Sequence, residues 1–139
     1  MVLERKEIIS LEDVFPYVQM NKRKIQQEIK GDKIKITSIR LNVFKNSNLV
    51  CPICDARASY FAKEKNINDK NYHLNLYGIY NNQEILFTRD HILPRSLGGK
   101  DTLANQQIMC EPCNLLKGNR NISNEDLKEE LRQIQMREV

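Results

Sequence analysis

Four cysteines in two C-x-x-C pairs, Cys51-Pro-Ile-Cys54 and Cys110-Glu-Pro-Cys113, constrain this chain more than any other feature. Each pair lets two thiolates converge from one tight turn, and two pairs complete the tetrahedral shell that Zn²⁺ prefers. With every position taken by a thiolate, no place is left for a substrate, so the expected role of Zn²⁺ is structural. Residues 55–109 separate the pairs, a longer gap than in a zinc ribbon, yet closing a loop costs only ~0.6 kcal/mol per doubling of its length. Zinc binding in finger peptides is worth about 10–16 kcal/mol, which outweighs that cost. The other uses of such cysteines are two disulfides, independent buried thiols or a redox pair. Disulfides belong to oxidising compartments, and a redox C-x-x-C opens a helix in a βαβ setting that the residues around Cys51 do not offer.

At 139 residues the chain fits one compact unit with extensions and is too short for two units with sizeable cores. Hydrophobic residues at 40% and charged residues at 29% describe a globular chain, not a disordered or fibrous one. No apolar run approaches the roughly 20 residues of a membrane span. Met1 to Lys6 also lacks the apolar core of a signal peptide. A soluble, intracellular protein with no membrane partner is expected. The net charge of +4 is unevenly spread: residues 1–48 carry ten Lys or Arg against six Asp or Glu, and residues 121–139 carry three against five. A basic N-terminal segment suits an anionic polymer, since neutralising phosphates releases counterions without a sequence-specific fit. A plain solvated helix face would look the same.

Local patterns predict the elements. Ser10 and Asp13 could start a helix that Pro16 ends. Val18, Ile25 and Ile29 then fall near one face of a helix carrying Lys22, Arg23 and Lys24, with Gly31 as its C-cap. Lys33 to Thr37 reads as a short strand, and Ser38 as the cap of a helix turning Leu41 and Phe44 inward. Leu74, Leu76 and Ile79, the Asn81-Asn82 turn, and Ile85 to Phe87 predict a hairpin that leads into Asp90-His91. Pro94 and Gly98-Gly99 mark a loop, Gln106 to Met109 a return strand, and Glu111 to Lys117 a helix stopped by Gly118. Ser123 or Asn124 caps a last helix with Leu127, Leu131 and Ile134 along one stripe, more apt for core packing than for a dimer seam.

The stretch Arg89-Asp90-His91-Ile92-Leu93-Pro94-Arg95-Ser96-Leu97-Gly98-Gly99, then Asn105, then Cys110-Glu111-Pro112-Cys113-Asn114-Leu115-Leu116-Lys117-Gly118-Asn119 resembles the HNH endonuclease family. The intervals from His91 to Asn105 and from Asn105 to Asn114 are also similar to those in the HNH domain of RNA-guided CRISPR nucleases. The resemblance implies an α+β fold with a ββα-metal (HNH or His-Me finger) core over residues 49–120. A basic, largely helical segment would precede it over 1–48, and a helix would follow over 121–139. It further implies that Asp90 and Asn114 are ligands of one catalytic ion, that His91 is the general base, and that Asn105 braces the loop holding His91. The chemistry fits these roles. A phosphodiester needs an activated water and a hard cation held by oxygen ligands, and a histidine near neutral pH can take the proton. The chain departs from the family name at the third position, where Asn114 stands in place of His. An oxygen ligand there favours Mg²⁺ or Mn²⁺ over a second Zn²⁺. Adjacent strand residues point to opposite faces, so Asp90 and His91 need a bend near Pro94 to serve one site.

Expected nucleic-acid contacts are Arg89, Arg95, Lys100, Lys117 and Arg120 around the motif, each of which can equally be a solvated charge, with Lys22, Arg23, Lys24, Lys33 and Lys35 on the N-terminal arm, where a plain amphipathic helix is the stronger alternative. His73 is left out of the site. The expected partner is DNA, cut in the cytoplasm of a bacterium or of a virus-infected host cell, with a homodimer as one route to cutting both strands. A zinc-stabilised binding module without catalysis, or the same site acting on RNA or branched substrates, would share these features.

Overall fold

A computed structural model of the chain describes residues 3–137; the expectations for segments 1–48 and 121–139 extend to residues 1–2 and 138–139, which lie outside it. An antiparallel sheet of five strands organises the molecule in the order β1-β4-β5-β6-β7, with β1 (Leu3–Ser10) and β7 (Gln106–Cys110) at the edges. Between them lie β4 (Tyr60–Asn66), β5 (His73–Tyr80) and β6 (Gln83–His91). A separate hairpin pairs β2 (Gln26–Ile29) with β3 (Asp32–Lys35). Helices α1 (Ile39–Lys45), α2 (Glu111–Lys117) and α3 (Asn124–Arg137) complete the fold, a mixed α and β architecture. No helix among the described residues is long and apolar enough to cross a membrane.

The β5–β6 hairpin forms where expected. Asn81 and Asn82 both take left-handed backbone (φ 51° and 62°), which a two-residue turn needs to match the strand twist. Ser38 caps α1 by accepting from Leu41 N at 3.1 Å, and Ser123 Oγ accepts from Asp126 N at 3.1 Å to start α3. One core runs through the chain, joining Ile9, Ile34, Phe44, Phe61, Phe87 and Leu127.

The N-terminal segment corrects the helical expectation. Ser10 ends a strand and two short 3-10 turns follow, Leu11–Asp13 and Phe15–Tyr17. Lys22, Arg23 and Lys24 sit in an exposed irregular stretch, and Ile29 belongs to β2. Gly31 does take left-handed backbone (φ 89°), but with Lys30 (φ 52°) it turns a hairpin and does not cap a helix. A left-handed residue serves both purposes; what decides is that Ile29 and Ile34 are buried and lie on paired strands. Strand β4 went unforeseen because its middle reads as charged. Lys63 lies 0% exposed, its Nζ donating to Glu7 Oε1 (2.8 Å), Asp32 Oδ2 (2.9 Å) and the carbonyls of Ile29 (2.7 Å) and Lys30 (2.9 Å). Those bonds fasten the β2–β3 hairpin to the sheet.

Candidate functional site

The two cysteine pairs meet beside the β6–β7–α2 end of the sheet. Cys51 and Cys54 sit on a tight turn in which Asp55 N donates to Cys51 O (3.0 Å) and Cys51 N to Ala56 O (2.8 Å). Cys110 ends β7 and occupies the cap position of α2, with Pro112 in the first turn where its missing N–H costs nothing. All four Sγ atoms lie within 4.8 Å of one another, and Cys54 Sγ is 3.6 Å from Cys110 Sγ. A disulfide bond is about 2.05 Å long, and the edge of a tetrahedron with Zn–S bonds of about 2.3 Å measures roughly 3.8 Å. The four cysteines are free, and the cluster could hold a structural metal such as Zn²⁺. Sulfurs this close cannot all ionise unaided. Hydrogen bonds from Cys110, Cys113 and Cys54 draw the Cys51 thiol far down, while those with Cys110, Cys51 and Cys54 push Cys113 far up. A shared cation is what lets all four become thiolates.

Asp90 stands in β6 opposite Gln107 of β7 and is 5% exposed. Its Oδ2 accepts from Lys117 Nζ at 2.6 Å and from Gln107 Nε2 at 3.0 Å, and its Oδ1 has no hydrogen-bond partner among the described residues. Lys117 is one turn beyond Asn114 on α2, where i,i+3 residues are neighbours. It is 1% exposed and also donates to the carbonyls of His91 (2.9 Å) and Ile92 (3.3 Å). The expectation that Lys117 meets a phosphate is therefore corrected: its charge is buried against Asp90. Gln107 in turn exchanges two amide hydrogen bonds with Asn124 at the start of α3 (3.0 and 2.9 Å). Asn114 Nδ2 donates to Thr88 Oγ1 (2.8 Å) and Arg89 O (3.3 Å), so its Oδ1 is spare for another partner.

His91 is the last residue of β6 and pairs with Gln106 in unbroken register. No bend separates it from Asp90; the chain turns only after it. The two side chains do lie on opposite faces, Asp90 toward Lys117 and His91 toward Asp101, yet both line one cleft of about 210 Å³ with Asn114. The cleft sits at the strand's end, where both faces open onto it. His91 Nε2 is 3.0 Å from Asp101 Oδ1, an oxygen that also accepts from Arg89 Nη1 (3.1 Å) and Gln106 Nε2 (3.1 Å). The His91 bond, more than the charges of Arg89 and Arg95, holds the Asp101 carboxyl below its usual range. Asp101 was not foreseen, because nothing in its neighbourhood of the sequence marks a residue ten positions on as the partner of His91.

Asn105 closes the loop after His91. Its Nδ2 donates to Leu93 O (3.1 Å) and Lys100 O (2.9 Å), its Oδ1 accepts from Leu93 N (3.0 Å), and its carbonyl accepts from Ile92 N (2.8 Å). Gly99 packs so tightly in this loop that a Cβ would fall 1.7 Å from Leu93 O; only glycine fits there. Among the expected basic contacts, Arg95 lines the cleft and is exposed, as is Lys100. Arg89 lines the cleft while paired with Asp101. Arg120 is turned away from that role: it forks onto Glu130 (2.7 Å twice) and caps α2 through the carbonyls of Leu116 (2.8 Å) and Lys117 (3.1 Å). Lys22, Arg23, Lys24, Lys33 and Lys35 are exposed.

No curated protein and no solved structure matches this chain. Residues 80–127, from the β5–β6 turn to the first turn of α3, match a family model described as HNH endonuclease, and over that part the chain is homologous to the family.

Proposed function

We propose that the protein is a metal-dependent endonuclease that hydrolyses phosphodiester bonds in DNA, built on a ββα-metal core of β6, the loop to Asn105, β7 and α2 within residues 49–120. The observation that carries this reading is the meeting of Asp90, His91 and Asn114 around one cleft in a segment homologous to HNH endonucleases. The donor set suits a hard divalent ion: Asp90 and Asn114 would hold Mg²⁺ or Mn²⁺ through their Oδ1 oxygens. Such an ion supplies charge stabilisation to the phosphoryl and leaving oxygens.

The chain's own groups do the rest. Asp101 fixes the His91 ring through Nε2, which leaves Nδ1 to take the proton from an attacking water. Lys117 and Gln107 fix Asp90 by one oxygen and leave the other to the cleft. Asn105 keeps the loop after His91 closed, and Arg95 is available for a flanking phosphate. Zn²⁺ on Cys51, Cys54, Cys110 and Cys113 would set the position of Asn114, the next residue after Cys113.

The test is plasmid cleavage with Mg²⁺ or Mn²⁺, comparing the parent chain with His91→Ala. Cutting at the parent rate by the variant would remove His91 as base. One observation favours a second reading, a zinc-stabilised nucleic-acid-binding module without catalysis: the Lys117–Asp90 pair satisfies the buried carboxylate without a metal. That reading expects binding that survives Asp90→Ala and no metal-dependent cutting at any protein concentration. A panel of duplex, branched and RNA substrates separates the remaining choices of substrate. A single cleft cuts one strand, so double-strand cutting would use a second copy or a second visit.

A further inference from the structure

A second cleft, of about 460 Å³, opens where β5 and β6 part. The ladder between these strands runs from Tyr80↔Gln83 to Leu76↔Phe87 and goes no further. Arg40 of α1 reaches into the gap. Its Nη2 donates to Leu74 O at 2.5 Å, and its guanidinium lies 5.6 Å from the centre of the Phe44 ring. Among the described residues that is a single hydrogen bond for a group with five N–H donors. Burial first, and then the charge of Arg89, hold its guanidinium down to about 10, and no acidic group offsets either influence. Arg40 is still charged at neutral pH, so it is a partly buried cation facing another cation.

Arg89 lines both this cleft and the one at Asp90 and His91. The acids in the wall do not serve Arg40. Glu64 is committed to Arg5, Asn75 and Tyr77, and Asp69 lies exposed at the rim. Arg89 has its own carboxylate in Asp101, whereas Arg40 has none among the described residues.

We propose that Arg40, together with Arg89, forms a phosphate subsite that takes a backbone phosphodiester of the nucleic acid beside the one at the Asp90–His91 cleft. This rests on the nuclease reading and adds to it a contact from residue 40, outside the stretch 80–127 that the HNH family covers. A phosphodiester between the two guanidinium groups removes their repulsion. It also offers acceptors to the N–H groups of Arg40 that have no partner, in the forked geometry arginine favours.

The experiment uses the full zinc-loaded chain carrying His91→Ala, so that the substrate is not consumed, and measures binding to a short duplex across a series of salt concentrations. Adding Arg40→Gln should weaken binding by roughly tenfold at moderate salt and reduce the slope of log K against log salt by about 0.9, the value for one phosphate contact on duplex DNA. Arg40→Lys should keep the slope. A folded Arg40→Gln protein with the slope and affinity of its parent overturns the subsite. Because Arg40 also holds Leu74 O, a second measurement needs no substitution there: the Arg40 Nε–Hε resonance is followed as duplex, or inorganic phosphate alone, is added. A saturable shift with duplex at micromolar concentration, and only a weaker one with inorganic phosphate, supports the proposal. An unmoved Arg40 while Arg95 shifts, or a shift with inorganic phosphate but not with duplex, overturns it. A parent chain that binds no duplex at any salt overturns the nucleic-acid reading as well, which sets that failure apart from failure of the subsite alone.

Discussion

Two lysines are buried almost completely, one at each end of the sheet, and they are satisfied in different ways. Lys63 is closed in by Glu7, Asp32 and the carbonyls of Ile29 and Lys30, and Asp32 also receives Lys6 at 2.7 Å. Neither Glu7 nor Asp32 lines the cleft at Asp90 and His91. Lys117 meets one carboxylate, on one of its oxygens, and two carbonyls that belong to the strand end itself. The first lysine fastens a hairpin; the second presents a carboxylate. Similar burial and similar charge thus occur in two settings, and what distinguishes them is that Asp90 lines a cleft with His91 and Asn114.

The largest expected effect tests whether the two ends share a metal dependence. Metal analysis should find about one tightly held Zn²⁺ per chain, and stripping it with a strong chelator should melt residues 51–114, since such sites contribute about 10–16 kcal/mol in finger peptides. Hydrogen exchange should then show the Lys117 end open first. Equal protection at both ends after chelation would break the comparison.

Next in size are Lys63→Met and Lys117→Met. Lys117→Met strands the buried carboxylate of Asp90 and should cost on the order of 3–5 kcal/mol in denaturant titrations; Lys63→Met should cost less, because Glu7 and Asp32 are partly exposed and Asp32 keeps Lys6. Only Lys117→Met should also abolish plasmid cutting at a temperature where both proteins are folded; loss of cutting in both would erase the distinction. Within the Lys117 end, His91→Ala should lower the cutting rate by about 10²–10⁴. Asp101→Asn should lower it less and change the pH profile, because the ring keeps a partner but loses the negative charge beside it. A pH profile identical to the parent would show that Asp101 does not act through His91.

The smallest effect concerns acid. Hydrogen bonds from Lys6, and then from Lys63, hold the Asp32 carboxyl below its usual range. A group depressed in the folded state contributes stability above its unfolded value, near 3.9, and loses it as pH falls through the folded value. The Lys63 end should therefore weaken only below about pH 4, and Asp32→Asn should flatten that part of the stability curve. An unchanged slope below pH 4 would remove Asp32 from the fastening.

The legibility of the sequence divides along the same line. From Leu74 to Leu131 the elements and the candidate residues could be read, because turn residues, cap residues and the cysteine pairs each name their own position. Asn81-Asn82 and Ser123 illustrate this. The first 66 residues were harder to read because their outer strands are joined by pairings distant in the chain, Leu3↔Asn66 and Ile8↔Ala62 among them. A buried lysine in mid-strand gives no apolar alternation to detect. Around the candidate site, Asp90, His91, Asn105 and Asn114 were singled out by the resemblance to HNH endonucleases, and the structure brings Asp90, His91 and Asn114 to one cleft. Asp101, Gln107 and the inward turn of Lys117 were not singled out, since each is defined by what it touches across the β6–β7 ladder or along α2.

The ladder between β6 and β7 ends with Phe87 opposite Cys110, and three steps away stands Asp90 opposite Gln107. A strand slipped by one residue turns every side chain to the other face. Cys110, anchored in the cysteine cluster, therefore acts as a ruler for the whole strand pair. Lengthening the chain by one residue between Gln106 and Cys110 would exchange the faces of Gln106 and Gln107 and leave both Asp101 and Asp90 with the wrong neighbour. Length changes in the connection between β4 and β5, which carries no such anchor, should be tolerated. In related chains, insertions and deletions are expected to collect in that connection and to be absent from the five residues of β7.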